Sequence, residues 1–285
     1  MNIQKSVSLR AFNTFGIDKS ASHLVQVSTP GQVVEALEYA KKMNLPIFVL
    51  GGGSNILLTQ DLDTLVIKME IKGLDVLKET NDHIWVRVGA GEIWNDFVEK
   101  AISSNWAGIE NLSLIPGTVG ASPMQNIGAY GVEIREVFDH LEAIDRKTRK
   151  TVLFHHAQCE FGYRESIFKN KLKDHYIITH VVFKLDKQPT FRLDYGAVRE
   201  TLAGINNGVP SLANISKAIV QIRQSKLPDP AVVGNAGSFF KNPTVDLRSF
   251  EQLRKLYPEI PGYTVENGVK IPAAWLLEKI GRAHV

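Results

Sequence analysis

LIPGTVGASPMQNIGAYGVEI, Leu114 to Ile134, gathers turn-formers and small residues where an ordinary surface loop carries charge. Gly117, Gly120, Gly128 and Gly131 admit backbone angles closed to other residues and allow a second backbone or a flat ligand to come close. Pro116 and Pro123 stiffen the same run. Glu133 is its only charge, while Thr118, Ser122, Gln125, Asn126 and Tyr130 offer neutral hydrogen-bonding groups. Such a composition fits a buried loop wrapped around a ligand. It fits a tight structural crossover between two elements equally well.

Upstream, Glu92 to Ser104 has the spacing of a helix, with Trp94, Phe97, Val98 and Ala101 on one side. Before it, Leu74–Leu77 and Ile84–Val88 flank Asn81-Asp82 and read as a hairpin, with Ile84, Val86 and Val88 on one face and Trp85 and Arg87 on the other. Phe138–Ile144, Thr151–Phe154 and Tyr176–Leu185 supply further strands, so the middle of the chain reads as a mixed sheet with few helices. Nearer the start, Ser20–Val27 reads as a strand. A helix follows Thr29-Pro30-Gly31, with Val33, Val34, Leu37 and Ala40 on one face. Pro46–Leu50 is the next strand, and it runs straight into Gly51-Gly52-Gly53-Ser54-Asn55. A glycine turn after a strand exposes backbone N–H groups that suit a pyrophosphate, although tight hairpins use the same residues. The P-loop is excluded because no Gly-Lys-Ser/Thr ending follows Gly53. The dinucleotide fingerprint fails as well: Ile56 stands where its third glycine belongs, and Leu65–Met69 reads as a strand rather than a helix.

With 285 residues, 44% of them hydrophobic and 22% charged, the chain has the make-up of an ordinary globular protein of two or three compact units. A formal charge of +3 with scattered Lys and Arg gives no argument for nucleic acid, but accommodates a phosphate-bearing ligand. Cys159 is the sole cysteine, so neither a disulfide framework nor a cysteine zinc site can form within the chain. His155-His156, His175 and His180 lack metal-ligand spacing and read as surface or strand-face residues, and no metal is expected. Met1–Val27 holds no uninterrupted apolar core of a signal peptide, and no later run reaches the ~20 apolar residues of a membrane span. The expectation is a cytoplasmic protein with neither membrane nor nucleic-acid partners.

Six motifs in order carry a resemblance: Asn13-Thr14-Phe15-Gly16, Leu50–Asn55, Ile115-Pro116-Gly117, Gln125–Gly131, Gly162-Tyr163-Arg164 and Gly234–Pro243. Together they resemble the UDP-N-acetylenolpyruvoylglucosamine reductase (MurB) family, in the subtype whose tyrosine loop caps the substrate. The resemblance covers nearly the whole chain. It implies an α+β fold: a two-subdomain FAD-binding module of the vanillyl-alcohol-oxidase (PCMH) type, residues 1–70 and 71–225, plus an incomplete α/β substrate-binding domain, residues 226–285. It also implies FAD and NADPH as cofactors and a UDP-sugar substrate, UDP-N-acetylglucosamine enolpyruvate, reduced to UDP-N-acetylmuramate for peptidoglycan synthesis.

The implied flavin site comprises Gly51, Gly52, Gly53, Ser54 and Asn55 in a first cradle. Pro116, Gly117, Gly120, Ala121 and Ser122 form a second, continued by Gln125, Asn126, Gly128, Ala129 and Gly131. No histidine or cysteine lies in either cradle, so the flavin is expected to be non-covalent. Flavin carries the hydride, and the residues must stabilise the enolate-like carboxylate and then protonate carbon. Arg164 matches the family's active-site arginine, a permanent cation able to grip a carboxylate through two hydrogen bonds. From the residues alone, an arginine paired with Glu160 or Glu165 is the competing reading. Ser238 matches the proton donor, with small neighbours Gly234, Ala236 and Gly237 and with Phe239-Phe240 placed to exclude water. A turn serine in a glycine loop is the ordinary alternative. Tyr130, Tyr163, Tyr195, Lys226 and Asn242 fall to the substrate by the same resemblance.

The family continues beyond Ile271–Glu278 and supplies a catalytic glutamate there, a role Glu278 comes too early to fill. Lys279–Val285 can be encoded by a common sequencing-library adapter, so the last seven residues are expected to be foreign. A shortened third subdomain is expected to expose Trp275 and Leu276. Two other functions remain open at this point. A related flavin-dependent oxidase would not be reduced by NADPH, and an inactive FAD-binding fragment would be yellow without turnover.

Overall fold

The computed structural model describes residues 1–195 and 197–280, so the expectation for the last seven residues falls, from residue 281 onward, outside the described residues. Ile3–Ser8 (β1) runs antiparallel to Ser20–Val27 (β2), with Ile3 opposite Val25. Ala21, Leu24, Val25 and Val27 are buried on β2, an interior strand of its sheet. The chain then enters Pro30–Lys42 (α1), where the Thr29 hydroxyl accepts the Gln32 N–H at 3.2 Å and Pro30 fills the first turn. Val33, Ala36, Leu37 and Ala40 face inward, at i, i+3, i+4 and i+7. The expected face needs one correction: Val34 lies at the stripe's edge and is half-buried, and Ala36 takes the inward place. Ile47–Leu50 (β3) follows. It pairs with Leu62–Met69 (β4), which lies parallel to both β2 and β3, giving the order β1-β2-β4-β3.

Leu74–Glu79 (β5) and His83–Gly89 (β6) form the expected hairpin, and Trp94–Ser103 (α2) buries Trp94, Phe97, Val98 and Ala101 as its spacing requires. Gly128–Ala129 (β7) and Val132–Glu133 (β8) make a short hairpin inside the glycine-rich loop. Phe138–Asp145 (β9), Thr151–His155 (β10) and Tyr176–Asp186 (β11) complete a second sheet in the order β10-β9-β11-β6-β5. Every neighbouring pair in it is antiparallel, not mixed as expected. Two of its connections are hairpins, which impose antiparallel pairing. Parallel pairing belongs to the first sheet, where α1 supplies the crossover.

The two faces of the second sheet differ. On one, Ile84, Val86 and Val88 pack with α2, and Phe183 lies 5.8 Å from the Trp94 ring and 5.0 Å from Phe97. On the other, Arg87 grips Glu142 through two hydrogen bonds of 2.7 and 2.8 Å, with His180 buried against both. Hydrogen bonds from Arg87 hold the Glu142 carboxyl below its usual range against the opposing effect of burial. A depressed acid stabilises the fold above its unfolded value, about 4.3, and loses that contribution as pH falls through the folded value. In urea unfolding at several pH values, Arg87→Met is therefore expected to lose less stability than the parent between about pH 6 and 3. Parallel pH curves would show that the pair contributes nothing.

Val198–Ala203 (α3) and Leu212–Lys226 (α4) were not foreseen. They form their own small core from Val198, Leu202, Ile215, Ile219 and Ile222, on which Tyr130 packs. The first unit ends at Ala236. The second begins at Gly237 and contains Thr244–Val245 (β12), Leu247–Leu256 (α5), Tyr263–Val265 (β13), Gly268–Lys270 (β14) and Ala273–Lys279 (α6). Its core is Phe250, Ile260, Val269 and Ile271. Trp275 and Leu276 pack against that core instead of being exposed as expected, and the exposed apolar residues of α6 and its end are Leu277 and Ile280. Among the described residues no helix is long and apolar enough to cross a membrane.

Candidate flavin and substrate site

Leu50 closes β3 in the core, and the chain turns at once through Gly51–Asn55. A Cβ on Gly52 would stand 2.9 Å from the Gly117 Cα and 3.3 Å from its carbonyl carbon, so the two glycine segments touch where neither has a side chain. Gly53 adopts φ +64°, which favours glycine, and an added Cβ would run into the Phe12 carbonyl, so no side chain fits there. Asn55 Nδ2 donates to Gln125 Oε1 at 3.2 Å and ties the first segment to the second. Among the described residues, no protein acceptor takes up the N–H groups of Gly52, Gly53, Ser54 or Asn55. Four successive amides without a protein acceptor suit a pyrophosphate, which can take up several backbone donors at once. The residues present thus fit an FAD diphosphate.

The second cradle hangs from the end of β6: Val119 N–H donates to the Glu92 carbonyl and Gly120 N–H to that of Ala90, each at 2.9 Å. Ser122 is buried, and its hydroxyl donates to the Val119 carbonyl at 2.7 Å. Asn126, in the left-handed region at φ +45°, is the hub of the loop. Its amide nitrogen donates to Glu133 at 2.9 Å and to the Gly162 carbonyl at 3.0 Å, and its oxygen accepts the Arg135 N–H at 3.1 Å. Both side chains are spent inside the loop, so they shape the cradle and present backbone to a ligand. The Asn13–Gly16 motif acts as a seam. Thr14 N–H donates to the Gly53 carbonyl at 3.2 Å, and Thr14 Oγ1 donates to the Asn235 carbonyl at 2.6 Å.

Arg164 joins this loop and neither of the expected glutamates: Lys171 holds Glu160 at 2.7 Å, and Lys169 lies 3.8 Å from Glu165. At φ +55°, Arg164 donates to the carbonyl of Gly128 and, at 3.5 Å, to that of Asn126, with Glu133 Oε1 3.9 Å away. Its guanidinium lies over the Tyr163 ring at 5.2 Å. A non-glycine residue in the left-handed region is strained and is retained where the surroundings over-determine it.

Tyr130 is another such residue, at φ +48°. The Arg223 guanidinium acts electrostatically on its phenol, and Arg223 Nε donates to the Leu114 carbonyl at 3.2 Å. Burial lifts the phenol above its usual range, with Arg223 opposing. Sequence reading missed Arg223, which sits one turn before Lys226 on a helix whose spacing shows only an ordinary amphipathic pattern. It also missed Asn111, fully buried, whose amide nitrogen donates to the carbonyls of Tyr130 and Arg192 at 2.9 Å each. Tyr195 packs beside Gly131, where an added Cβ would meet its own Cβ at 3.4 Å.

The first unit thus brings together Gly51–Asn55, the 116–131 loop, Tyr163, Arg164 and Tyr195, with Lys226 exposed in the last turn of α4. Ser238 and Asn242 belong to the second unit. Ser238 follows Gly237 at φ +73°, and its hydroxyl donates a long hydrogen bond, 3.4 Å, to the Phe240 carbonyl. Phe239 and Phe240 stack edge to face yet are 87% and 54% exposed, so they do not shield Ser238 as expected. Asn242 Oδ1 accepts the Ala273 N–H at 2.9 Å and caps α6.

An FAD binding domain family matches residues 21–150, which include the first cradle and the whole glycine-rich loop. UDP-N-acetylenolpyruvoylglucosamine reductase of Amoebophilus asiaticus is 49% identical over 282 residues, 99% of this chain and 83% of that protein. The reductase of the same name from Flavobacterium johnsoniae is 48% identical over 283 residues, again 99% and 83%, and that of Pseudomonas aeruginosa 46% over 282. The crystal structure of UDP-N-acetylenolpyruvylglucosamine reductase from Thermus caldophilus shares the fold at a TM-score of 0.63 and 20% identity, covering 99% of this chain and 96% of that one. With nearly half its residues identical along almost its full length, the chain belongs to the UDP-N-acetylenolpyruvoylglucosamine reductase family.

Proposed function

We propose that this protein reduces UDP-N-acetylglucosamine enolpyruvate to UDP-N-acetylmuramate in peptidoglycan precursor synthesis, with FAD as resident cofactor and NADPH as donor, in the cytoplasm. The observation that carries the reading is the meeting of two glycine cradles, one lined with four unengaged amides, beside an arginine fastened to the same loop. Residues 1–70 and 71–225 hold the flavin in this reading, and residues 226–285 serve the substrate. When bound, FAD supplies the hydride for the enolpyruvyl double bond. The chain's own residues do the rest.

Arg164 places a permanent positive charge for the substrate carboxylate, and its anchors at Gly128 and Glu133 fix it before substrate arrives. After hydride adds to one carbon, the neighbouring carbon carries the enolate's electron pair. The Ser238 O–H bond breaks, and its proton forms the new C–H bond there. Tyr130, Tyr163, Tyr195, Lys226 and Asn242 hold the UDP-sugar, Lys226 through its charge on the diphosphate. The test is anaerobic: NADPH should bleach the bound flavin, and the enolpyruvyl sugar should then restore its colour with one equivalent of UDP-N-acetylmuramate. Bleaching by NADPH without recovery on adding the sugar would refute the substrate assignment.

A further inference from the structure

The geometry points to Asn111 as a positioning residue that clamps the stem of the Tyr195 loop onto the glycine loop at Tyr130. This rests on the reading that both tyrosines meet the UDP-sugar. Asn111 is fully buried, and one amide nitrogen spends both hydrogens on backbone carbonyls far apart in sequence, Tyr130 and Arg192, each at 2.9 Å. Its own oxygen is buried and meets no partner among the described residues. Leucine would fill the same volume without stranding an acceptor, so the residue is explained by its two donors rather than by packing. Both targets matter. Tyr130 is held in the left-handed region, a conformation that needs support from outside, and Arg192 lies three residues before Tyr195, which packs beside Gly131. Aspartate is the same size but turns a double donor into an acceptor facing two carbonyls.

The experiment uses the FAD-loaded full chain. Titration with the enolpyruvyl sugar, followed by the shift of the flavin spectrum, gives a dissociation constant. Retention of FAD and far-ultraviolet circular dichroism report folding. Asn111→Asp is expected to weaken sugar binding about tenfold, the loss of roughly one net hydrogen bond, with FAD affinity unchanged. Binding should partly recover towards about pH 5.5, because a buried carboxyl surrounded by carbonyls titrates high and, once protonated, donates one hydrogen bond. Asn111→Leu should show the weakening at every pH. In a Tyr195→Ala background, Asn111→Asp should add little, since it acts through that loop. Independently of any substrate, limited trypsin digestion should cut after Arg192 several-fold faster in Asn111→Asp.

Unchanged trypsin cleavage together with unchanged sugar affinity would overturn the clamp. Full additivity with Tyr195→Ala would also overturn it. Faster cleavage combined with no effect of Tyr195→Ala on affinity would support the clamp and refute only the assignment of Tyr195 to the sugar.

Discussion

Ser238→Ala is expected to leave NADPH reduction of the bound flavin at its normal rate while slowing reduction of the enolpyruvyl substrate by about 10³-fold. The two half-reactions separate because hydride uptake by the flavin requires no proton from the protein at carbon, whereas substrate reduction ends with one. The proposed role of Ser238 as proton donor rests on its surroundings in the chain. Gly237 turns the backbone at φ +73° with open space at its missing Cβ, and among the described residues the hydroxyl is committed only to a 3.4 Å bond with the Phe240 carbonyl. A hydroxyl so weakly engaged can be redirected to substrate at little cost. Ser238→Cys, which keeps an acidic hydrogen at the same place, should recover part of the lost rate. Stopped-flow absorbance of each half-reaction checks the split, and equal slowing of both halves would remove Ser238 from the protonation step.

Gly52→Ala should have an effect of similar size on the cofactor, lowering FAD affinity at least about 100-fold. The added methyl would meet the Gly117 backbone at 2.9 Å, and neither segment can yield easily. Gly117 is flanked by Pro116 and by residues hung from β6, while Gly53, next to Gly52, is pinned by Thr14. Separating the cradles displaces the four amides together, so the loss should exceed that of any single hydrogen bond. Gly31→Ala in α1 is the control: its Cβ would find only the Thr29 hydroxyl at 3.8 Å, an ordinary contact, and FAD affinity should not change. Equilibrium dialysis with FAD measures both variants, and circular dichroism verifies that Gly52→Ala remains folded.

Much of this arrangement could be read from residue order because the strands and helices have one apolar face each. β2, the β5–β6 hairpin, α2 and β11 fall where periodicity puts them, since burial on one side imposes a period on the sequence. Sheet direction was not legible: a strand of valines and isoleucines looks alike in parallel and antiparallel pairs, and the connections decide. The Val34 and Ala36 exchange has a similar origin, because residues at the border of a helical stripe are sorted by neighbours that the helix itself does not encode. The glycine loops announced a close approach, as Gly52 against Gly117 shows. Which polar side chains face inward did not follow. Ser122 and Asn126 look like ligand donors in sequence and are consumed by the loop, whereas Asn111 and Arg223 look ordinary and reach carbonyls 81 and 109 residues away. Long-range hydrogen bonds leave no period behind. The exposure of Phe239 and Phe240 belongs to the same class, since two adjacent aromatics carry the same signal whether they face a core or water.

In the proposed function, two side-chain-free backbones close around a diphosphate and a flat redox ring. Titrating FAD into the flavin-stripped protein, followed by calorimetry and visible absorbance, tests this directly. One non-covalent FAD per chain, with the shifted spectrum of a bound flavin, is the predicted result. No heat and an unshifted spectrum of free FAD, from protein that circular dichroism shows to be folded, would contradict it.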